Sequence, residues 1–384
     1  MANNAVSKDL PILITGAAGF VGKNLTAVLK SAGYTDLMLF DLDAPADNLA
    51  AYAARARFVF HLAGVNRPKD PGEFYTGNRG FTEHLLHLLE DAGNCAPVLV
   101  TSSIQAELDN DYGRSKREAE ALVFAHEKAT GAPVLVYRMP GLFGKWCRPN
   151  YNSVVATFCH NIARGLPIQV RDPACELPLV YIDDVVDSFL AALEGRAARD
   201  CSVPGFCHLM CESYTVSLGR LAGLIESFRD SRGSLAVPDM GDPFTKKLYA
   251  TYLSYLPEDG FAYPLEMHTD ARGSFTEFLR SPDRGQVSVN IAKPGIVKGN
   301  HWHNTKNEKF LVVKGRAVIR FRRMDDPAGQ VVEYHVSGDR LEVVDIPTGY
   351  THSIENEGED DLVTVMWASE PFDPERPDTI YEKV

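Results

Sequence analysis

The segment LPILITGAAGFVG, residues 10–22, joins an apolar strand-like run to a glycine-rich turn and the start of a helical pattern. The glycines permit a tight turn and a close backbone approach, and the N-terminus of the following helix offers free N–H groups and a positive dipole end to a phosphate. Alone, such glycine spacing is weak evidence, but the strand-turn-helix context makes it specific. The sequence therefore predicts a dinucleotide site that includes the loop residues Gly16, Gly19, Phe20, Val21 and Gly22.

Outward from this loop, the first two hundred residues alternate apolar runs with segments of helical periodicity. The apolar runs read LPILIT (10–15), DLMLFD (36–41), FVFHLAG (58–64), PVLVTSS (97–103) and APVLVYR (132–138). Each run has the length of a strand, and the segments between them have apolar residues at helical spacing. This alternation predicts an α/β fold, a doubly wound parallel sheet of the Rossmann type.

The composition and pattern of the sequence change after residue 260, where short β-rich runs are separated by Gly, Pro and Asp. They read QVSVNIA, KFLVVKG, AVIRFRRM, QVVEYHV, LEVVDIP and LVTVMWA. Several alternate apolar with polar residues, as an antiparallel sandwich or barrel requires. The stretch before them is aromatic and not of low complexity, so we expect it to be packed. We predict a dinucleotide-binding domain over residues 1–245, a connecting segment over 246–262 and an all-β domain over 263–384.

The composition limits the possible partners. The chain has 384 residues, with 39 basic against 51 acidic side chains and a formal charge of −12. Because nucleic-acid affinity comes largely from clustered Lys and Arg, we expect no nucleic-acid partner. The first residues do not resemble a signal peptide, and no apolar window of about 18 residues indicates a membrane span. The seven cysteines form no CxxC pair. We expect a cytoplasmic protein with reduced thiols.

Further residues of the dinucleotide site are expected beyond the first turn. Asp41 ends the second apolar run, where a carboxylate accepts hydrogen bonds from the adenosine ribose and disfavours the extra phosphate of NADP. No basic residue follows it in FDLDAPAD, which by itself favours NAD(H). Tyr112 and Lys116 lie four residues apart and hence on one face of a helix. An ammonium ion near a phenol lowers the pKa of that phenol, so the pair suits acid/base chemistry.

These motifs, in this order, resemble the extended short-chain dehydrogenase/reductase family over about residues 8–230. The resemblance rests on TGAAGFVG, HLAG (61–64), TSS (101–103) and YGRSK (112–116). It implies that Tyr112 is the acid/base, that Lys116 positions the nicotinamide ribose, and that Ser103 holds the substrate oxygen. Ser102 competes for the last role, and only one of the two can serve because adjacent strand residues face opposite ways. The matched motifs add Leu62, Ala63, Gly64 and Asn78 to the cofactor site.

Members of that family often act on nucleotide-sugars. The segment WCRPNYNS (146–153) offers cations, amides and aromatic rings, which suit contacts with a UDP group. We therefore predict that Arg138 and Asn152 contact the substrate.

In the second domain, four potential metal ligands occur in two motifs. His301 and His303 lie two apart on a predicted strand, Glu308 follows a polar turn, and His352 follows a second turn. Three imidazoles and a carboxylate suit a divalent transition metal, and we expect zinc. The motifs are similar to the cupin patterns GX5HXHX4EX6G and PXGX2HX3N, except that Leu341 replaces a loop glycine. A metal-free cupin whose histidines act in acid/base catalysis is the alternative.

A short-chain reductase fused to a cupin resembles the CapF family of capsule and O-antigen precursor enzymes across nearly the whole chain. The matching stretches include HLAGVNRP (61–68), GNHWHNTKNEKF (299–310) and VVDIPTGYTHSIEN (343–356). The resemblance implies that the cupin epimerises carbon 3 of UDP-2-acetamido-2,6-dideoxy-4-hexulose. The first domain would then reduce the carbon-4 ketone with NADPH to UDP-2-acetamido-2,6-dideoxy-β-L-talose, in the UDP-N-acetyl-L-fucosamine pathway. NADP(H) is thus the expected cofactor, and NAD(H) is the alternative that Asp41 favours.

Several points stay open at the level of sequence. The base that acts in the cupin can be any of Lys306, Lys309, His335 and Tyr350. One alternative function is a single-activity nucleotide-sugar reductase or epimerase/dehydratase whose cupin only dimerises and stabilises the chain. Another is a sensor that binds dinucleotide without turnover, although the Ser103, Tyr112 and Lys116 set argues against it. Because cupin sheets often pair, we expect a homodimer.

Overall fold

The computed structural model describes residues 6–265, 268–270, 273–275, 285–370 and 375–384. By compactness the chain forms two units, one of Met1–Leu142 and Leu177–Thr215, the other of Phe143–Glu176 and Val216–Val384. The first unit contains the parallel sheet and the second contains the β-rich region. The domain limits at residues 245 and 262 stay predictions.

The first elements of the chain alternate strands with helices, as predicted. In chain order they are β1 (Ile12–Thr15), α1 (Phe20–Ser31), β2 (Leu37–Phe40), α2 (Ala46–Arg55), β3 (Phe58–His61), α3 (Gly72–Phe74), a π-helical turn (Tyr75–Gly80), α4 (Phe81–Asp91), β4 (Val98–Ser103), a 3₁₀ turn (Ile104–Glu107), α5 (Asp111–Thr130) and β5 (Val134–Met139). The strands pair in parallel in the order β2-β1-β3-β4-β5. The strand order changes direction between β1 and β3, and ligands bind at such a point in open α/β sheets.

Helices cover both faces of this sheet. Side chains along each strand alternate between two buried clusters. One cluster joins strand residues to α1 and contains Ile12, Ile14, Phe60, Leu25 and Leu29. The other joins the opposite face to α4 and contains Leu13, Val59, Leu85 and Leu89. Because both faces are buried, the strands read as continuous apolar runs in the sequence.

The chain continues with shorter elements before the β-rich region. They are β6 (Gly141–Phe143), α6 (Val154–Ala163), β7 (Glu176–Tyr181), α7 (Ile182–Leu193), β8 (Ala198–Arg199), β9 (Cys207–His208), β10 (Tyr214–Ser217), α8 (Leu218–Ser234), α9 (Pro243–Leu253) and a second 3₁₀ turn (Glu258–Gly260). Leu248, Tyr249 and Leu253 of α9 are buried, so this stretch is packed, as predicted. None of the helices in the described residues combines the length and apolar character needed to cross a membrane.

The second sheet region is entirely β. Its strands are β11 (Ala262–Pro264), β12 (His268–Asp270), β13 (Gly273–Phe275), β14 (Gln286–Ala292), β15 (Val297–Trp302), β16 (Glu308–Lys314), β17 (Arg316–Arg323), β18 (Val332–Ser337), β19 (Glu342–Ile346), β20 (Tyr350–Asn356), β21 (Leu362–Ala368) and β22 (Ile380–Tyr381). Two five-stranded antiparallel sheets have the orders β11-β19-β16-β21-β14 and β18-β17-β20-β15-β22.

This arrangement brings the two predicted metal motifs together. In the second of these sheets, β15 pairs with β20 so that His301 lies opposite His352, next to a bulge at Gly299. Glu308 begins β16 in the other sheet. The strand that carries the first histidine ends at Trp302, so His303 lies just beyond it and not within it as the sequence predicted.

Candidate functional site

The glycine-rich turn lies against the loop that follows β3. A Cβ atom on Gly16, whose φ is 69°, would lie 2.7 Å from the Ala63 backbone nitrogen, and one on Gly22 would lie 2.2 Å from the Gly16 carbonyl oxygen. Neither position therefore accepts a larger residue. Helix α1 starts at Phe20 after Gly19, so the first N–H groups of the helix are available to a phosphate. Pyrophosphate binding by this turn stays a prediction.

Asp41 supports this turn from the end of β2. Its Oδ2 accepts a hydrogen bond from the Ala18 N–H at 2.7 Å, and its Oδ1 accepts one from the Leu42 N–H at 2.8 Å. The Asp41 carboxylate therefore lies beside the glycine-rich turn, where a carboxylate can accept hydrogen bonds from an adenosine ribose.

A buried chain of hydrogen bonds lies behind these turns. His61 Nδ1 is 2.8 Å from Thr15 Oγ1, and His61 Nε2 is 2.8 Å from Thr82 Oγ1. The Thr82 hydroxyl donates its proton to the Asn78 carbonyl at 2.6 Å, so it accepts from His61, whose ring then carries its proton on Nε2. Burial, reinforced by the Lys116 charge, lowers the pKa of His61 to about 3. The imidazole is therefore neutral at pH 7.

Asn78 connects the loop after β3 to α5 through side-chain hydrogen bonds. Its Oδ1 accepts the Val65 N–H at 2.8 Å, and its Nδ2 donates to the Val65 carbonyl at 2.9 Å and to Ser115 Oγ at 3.0 Å. A Cβ atom on Gly64 would lie 2.9 Å from Asn78 Oδ1 and 3.1 Å from Lys116 Nζ. Three residues predicted for the cofactor site, Gly64, Asn78 and Lys116, are thus neighbours.

Ser102 and Ser103 have different partners at the end of β4. The buried Ser102 Oγ lies 2.5 Å from Glu120 Oε1. Ser103 Oγ accepts the Gln105 N–H at 3.1 Å, and its side chain hydrogen-bonds Tyr112. The two hydroxyls face opposite ways, as adjacent strand residues do. Ser103 is therefore the serine beside the predicted acid/base, and its catalytic role stays a prediction.

Tyr112 and Lys116 lie on successive turns of α5. Lys116 Nζ is 5.9 Å from the centre of the Tyr112 ring and donates to the Thr101 carbonyl at 3.2 Å. Burial lowers the pKa of Lys116 to about 8, against the opposing effect of the Glu120 charge.

The pKa of Tyr112 differs from the expectation. Burial raises it, and the hydrogen bond with Ser103 opposes that rise. The sequence argument, in which the Lys116 ammonium ion lowers the pKa of the phenol, is wrong in the net sign for the chain alone. The reason is that removal from water destabilises the phenolate by more free energy than the neighbouring groups contribute to stabilising it.

The two predicted substrate residues have different surroundings. Arg138 donates from Nε and Nη2 to the two carboxylate oxygens of Glu120, at 2.8 Å and 2.6 Å, and its guanidinium also stacks 4.6 Å from the centre of the Phe206 ring. Asn152 is exposed. Contact of Arg138 and Asn152 with substrate stays a prediction. Sequence reasoning missed Glu120, because one glutamate on a helix with several acidic residues has no distinguishing pattern.

The four predicted metal ligands form one cluster in the cupin-like sheets. One ligand atom from each of His301, His303, Glu308 and His352 lies within 4.8 Å of the others. All but the half-buried His301 are buried. Burial, followed by the charges of the other two histidines, lowers the pKa of His301 to about 4. Burial also lowers the pKa of His352, so His301 and His352 are disposed to be neutral, the form in which imidazole binds metals.

Donor atoms in this cluster lack hydrogen-bond partners. They are His303 Nε2, Glu308 Oε2 and both ring nitrogens of His352. Buried polar atoms without partners are rare and costly, and a divalent cation would give one atom of each of these three residues a partner. Three imidazoles and a carboxylate are also a donor set that zinc accepts. The residues therefore fit a metal such as zinc.

Asp378 supports the first metal motif from outside it. Its backbone carbonyl accepts a hydrogen bond from His303 Nδ1, which leaves Nε2 for a metal. Its carboxylate accepts the N–H groups of Asn304, Thr305 and Lys306 at 2.9, 2.7 and 2.7 Å. Burial opposes ionisation of this carboxyl, but these N–H groups hold its pKa below the usual value. Sequence reasoning missed Asp378, which lies 26 residues after His352 and outside both motifs.

The four candidate bases of the cupin lie in different places. Lys306 is buried, with Nζ 3.9 Å from Glu308 Oε1. Lys309 Nζ lies 2.5 Å from Asp345 Oδ1 in a separate buried ion pair. His335 is exposed, and Tyr350 OH lies 3.4 Å from Glu258 Oε1. Among the four, Lys306 is the one that contacts a metal ligand.

A further buried lysine approaches the metal motif. Lys145 is 1% exposed, and its Nζ lies 3.4 Å from Oδ1 of Asn304, which follows the ligand His303. The sequence placed the neighbouring WCRPNYNS segment among nucleotide contacts and offered no sign that Lys145 packs beside the cupin motif. Within the second compact unit, Lys145 therefore lies beside a cupin motif that follows it by more than 150 residues.

Comparisons with known proteins cover both regions. A family model described as NAD dependent epimerase/dehydratase family matches residues 12–202, and one described as Polysaccharide biosynthesis C-terminal domain matches residues 268–380. A UDP-2-acetamido-2,6-beta-L-arabino-hexul-4-ose reductase from Pseudomonas aeruginosa is 45% identical over 96% of this chain and 98% of its own length. The capsular polysaccharide assembling protein CapF from Staphylococcus aureus is 50% identical with a TM-score of 0.67, over 98% of this chain and 100% of CapF.

The chain belongs to the CapF family. Membership of the CapF family confirms the predicted fold class, a Rossmann-type parallel sheet followed by an all-β cupin domain. The match to the epimerase/dehydratase family also shows that the first region is of the kind that uses a nicotinamide dinucleotide. The two clusters described above lie one in each of the matched regions.

Replacing Asp378 by alanine tests the support of the metal motif. We expect the affinity for Zn²⁺ to fall about 10- to 100-fold, because the turn that carries His303 loses the carboxylate that orders it. Competition with a chromophoric chelator measures the affinity. Asp361→Ala, which removes a carboxylate from a surface pair with Lys293, serves as the control. Equal affinity of the Asp378 variant and the wild type would contradict the assignment.

Proposed function

We propose that this chain is a bifunctional enzyme of nucleotide-sugar biosynthesis. Its cupin region epimerises carbon 3 of a UDP-linked 4-keto-6-deoxy-N-acetylhexosamine, UDP-2-acetamido-2,6-dideoxy-4-hexulose, and its first region reduces the carbon-4 ketone to UDP-2-acetamido-2,6-dideoxy-β-L-talose. The observation that carries the proposal is the presence of both a Ser-Tyr-Lys set and a His₃Glu cluster in one chain. The 45% identity to a UDP-sugar reductase over almost the whole length supports it.

The reduction step uses groups at the end of β4 and the start of α5. A bound nicotinamide dinucleotide supplies the hydride. Tyr112 donates a proton to the oxygen of the ketone as that oxygen gains negative charge. Ser103 donates a hydrogen bond to the same oxygen, and Lys116 holds the cofactor ribose and favours proton loss from the phenol. The raised pKa of Tyr112 keeps the phenol protonated, as an acid requires.

The epimerisation step uses the cupin cluster. Carbon 3 neighbours the carbon-4 ketone, so transfer of its proton to a base yields an enediolate, and return of a proton to the opposite face completes the inversion. A divalent metal held by His301, His303, Glu308 and His352 supplies the Lewis acid that favours this ionisation. The buried Lys306 lies beside this cluster, with its Nζ 3.9 Å from Glu308 Oε1.

The proposed reductant is NADPH, in line with the family resemblance. We expect kcat/KM with NADPH to exceed that with NADH, and Asp41→Ser to widen the ratio about tenfold, because the carboxylate repels a 2′-phosphate. Steady-state kinetics with both cofactors measures this ratio. Asp43→Ser, which changes an exposed neighbouring carboxylate, serves as the control. A large preference of the wild type for NADH would reverse the assignment.

The proposed assembly is a homodimer formed through the cupin region. Val287, Val289 and Ile291 alternate along the edge strand β14 and are 54, 63 and 55% exposed. An exposed apolar edge strand favours pairing with a second copy of the chain. Light scattering of the full chain measures the mass and would give that of one chain if the proposal is wrong.

Tyr112→Phe should abolish ketone reduction while leaving dinucleotide binding intact. We expect turnover to fall at least about 100-fold, because the proton donor is lost but the glycine-rich turn is unchanged. Cofactor fluorescence measures binding and absorbance measures turnover. Tyr52→Phe, on α2 and away from the site, should behave as the wild type. Unchanged turnover in the Tyr112 variant would eliminate this residue as the acid.

The metal-loaded enzyme should incorporate deuterium at carbon 3 of the UDP-4-keto sugar in heavy water without any dinucleotide. We expect chelation or His301→Ala to stop the exchange, because both remove the metal from the cluster. Proton NMR of the sugar records the exchange, and His87→Ala, at an exposed histidine of the first region, is the control. No exchange alongside working ketone reduction would support the alternative, a single-activity reductase with a structural cupin.

A further inference from the structure

A third residue, Glu120, lies on the face of α5 that carries Tyr112 and Lys116. Glu120 lies one further turn along α5 and is 4% exposed. Its carboxylate accepts the Ser102 hydroxyl at 2.5 Å and two N–H groups of Arg138 at 2.8 and 2.6 Å. The reduction mechanism does not use this carboxylate, whose cost of burial these three hydrogen bonds offset.

Lys116 and Glu120 line the same small cavity. Its other walls include His61 and Asn78, together with Thr82, Thr101 and Ser102. Among the described residues that line the cavity, Glu120 is the one that carries a carboxylate. The two charged groups therefore face a common space with little room for screening water, and their interaction is stronger than it would be in bulk solvent.

The other ionisable groups around Lys116 do not replace Glu120. His61 from β3 is neutral at pH 7, and Tyr112 from α5 holds its proton. Arg138 from β5 adds a second positive charge on the far side of Glu120, and Glu107 contacts that arginine at 3.3 Å. Without Glu120, Lys116 would have no carboxylate among the residues that line its cavity.

We propose that Glu120 is a positioning residue of the reductase site, which keeps Lys116 in its ammonium form by placing a buried negative charge, held by Ser102 and Arg138, in the same cavity. The inference rests on the proposed reductase function for its consequence, because Lys116 must be charged to hold the ribose and assist Tyr112. The charge state of Lys116 itself is a property of the chain and needs neither substrate nor cofactor.

The sign of each charge change follows from this geometry. Burial already favours the neutral amine, so loss of the Glu120 charge moves deprotonation of Lys116 to lower pH. Loss of the Arg138 charge removes a repulsive neighbour and moves it to higher pH. Substitutions of Glu120 and of Arg138, the two partners of one ion pair, should therefore shift the titration midpoint of Lys116 in opposite directions. A general loss of packing would not produce opposite shifts.

The direct test follows Lys116 by NMR in the full chain, free of cofactor and substrate, with lysine labelled at carbon ε and the signal assigned by its loss in Lys116→Met. We expect Glu120→Gln to lower the titration midpoint of Lys116 by about one pH unit and Arg138→Met to raise it. Glu127→Gln, a matched change two turns further along α5 where the carboxylate accepts the Val134 N–H, should leave it unchanged.

Either of two results would overturn the proposal. One is an equal midpoint in the Glu120→Gln and Glu127→Gln variants. The other is a shift of the same sign in the Glu120 and Arg138 variants, which would indicate distorted packing. If Glu120→Gln does not fold, Glu120→Met is tested in the Arg138→Met background, where no unpaired guanidinium is left, and a midpoint equal to that of Arg138→Met alone would then refute the proposal.

The same variants give a second readout through turnover. The alkaline limb of kcat/KM for ketone reduction should move to lower pH in Glu120→Gln, in parallel with the NMR midpoint. Failure of the wild type to reduce the UDP-4-keto sugar would refute the proposed function and leave the NMR result to judge Glu120. A normal wild-type rate with an unmoved alkaline limb in Glu120→Gln would refute the role of Glu120 alone.

Discussion

A charge that leaves water must find a partner, and this requirement shapes both candidate sites. Around Lys116, the buried His61 is neutral and adds no second cation, and Thr15 and Thr82 each hydrogen-bond one nitrogen of its ring. Glu120 supplies the compensating carboxylate. In the cupin the sign is reversed, because the buried Glu308 carboxylate lies beside His301 and His352, whose pKa values burial lowers. That arrangement favours a bound cation, which would complete the balance of charge.

Strand alternation separates charges that are adjacent in the sequence. Glu308 joins the metal cluster, whereas the next residue, Lys309, pairs with Asp345 in a different buried site. Arg232 also approaches Asp345, at 3.3 Å. A slip of one residue in the register of β16 would exchange the two side chains and place an ammonium ion among the metal ligands. The Lys309–Asp345 pair thus contributes to specifying the register that the metal site needs.

The elements that the sequence predicted best are those with a strong repeating pattern. All five apolar runs of the first region became strands of the parallel sheet, because both of its faces are buried and every residue of a run is apolar. Patterns were less informative where a contact depends on distant segments. Lys145 packs beside the cupin motif more than 150 residues later, with its Nζ close to Asn304 over a separation of 159 residues. Nothing in the local sequence around either residue indicates that approach.

The sequence by itself determined the fold class and the identity of the chemical groups, because glycine spacing, the Tyr-Lys interval and the HxH motif are local properties of the chain. Only the tertiary structure decided which serine faces Tyr112, that burial raises the pKa of that tyrosine, and that Asp378 supports the metal motif. These outcomes depend on desolvation and on contacts between distant segments. Such quantities arise only when the chain is packed, since they are set by the neighbours that folding brings to each side chain.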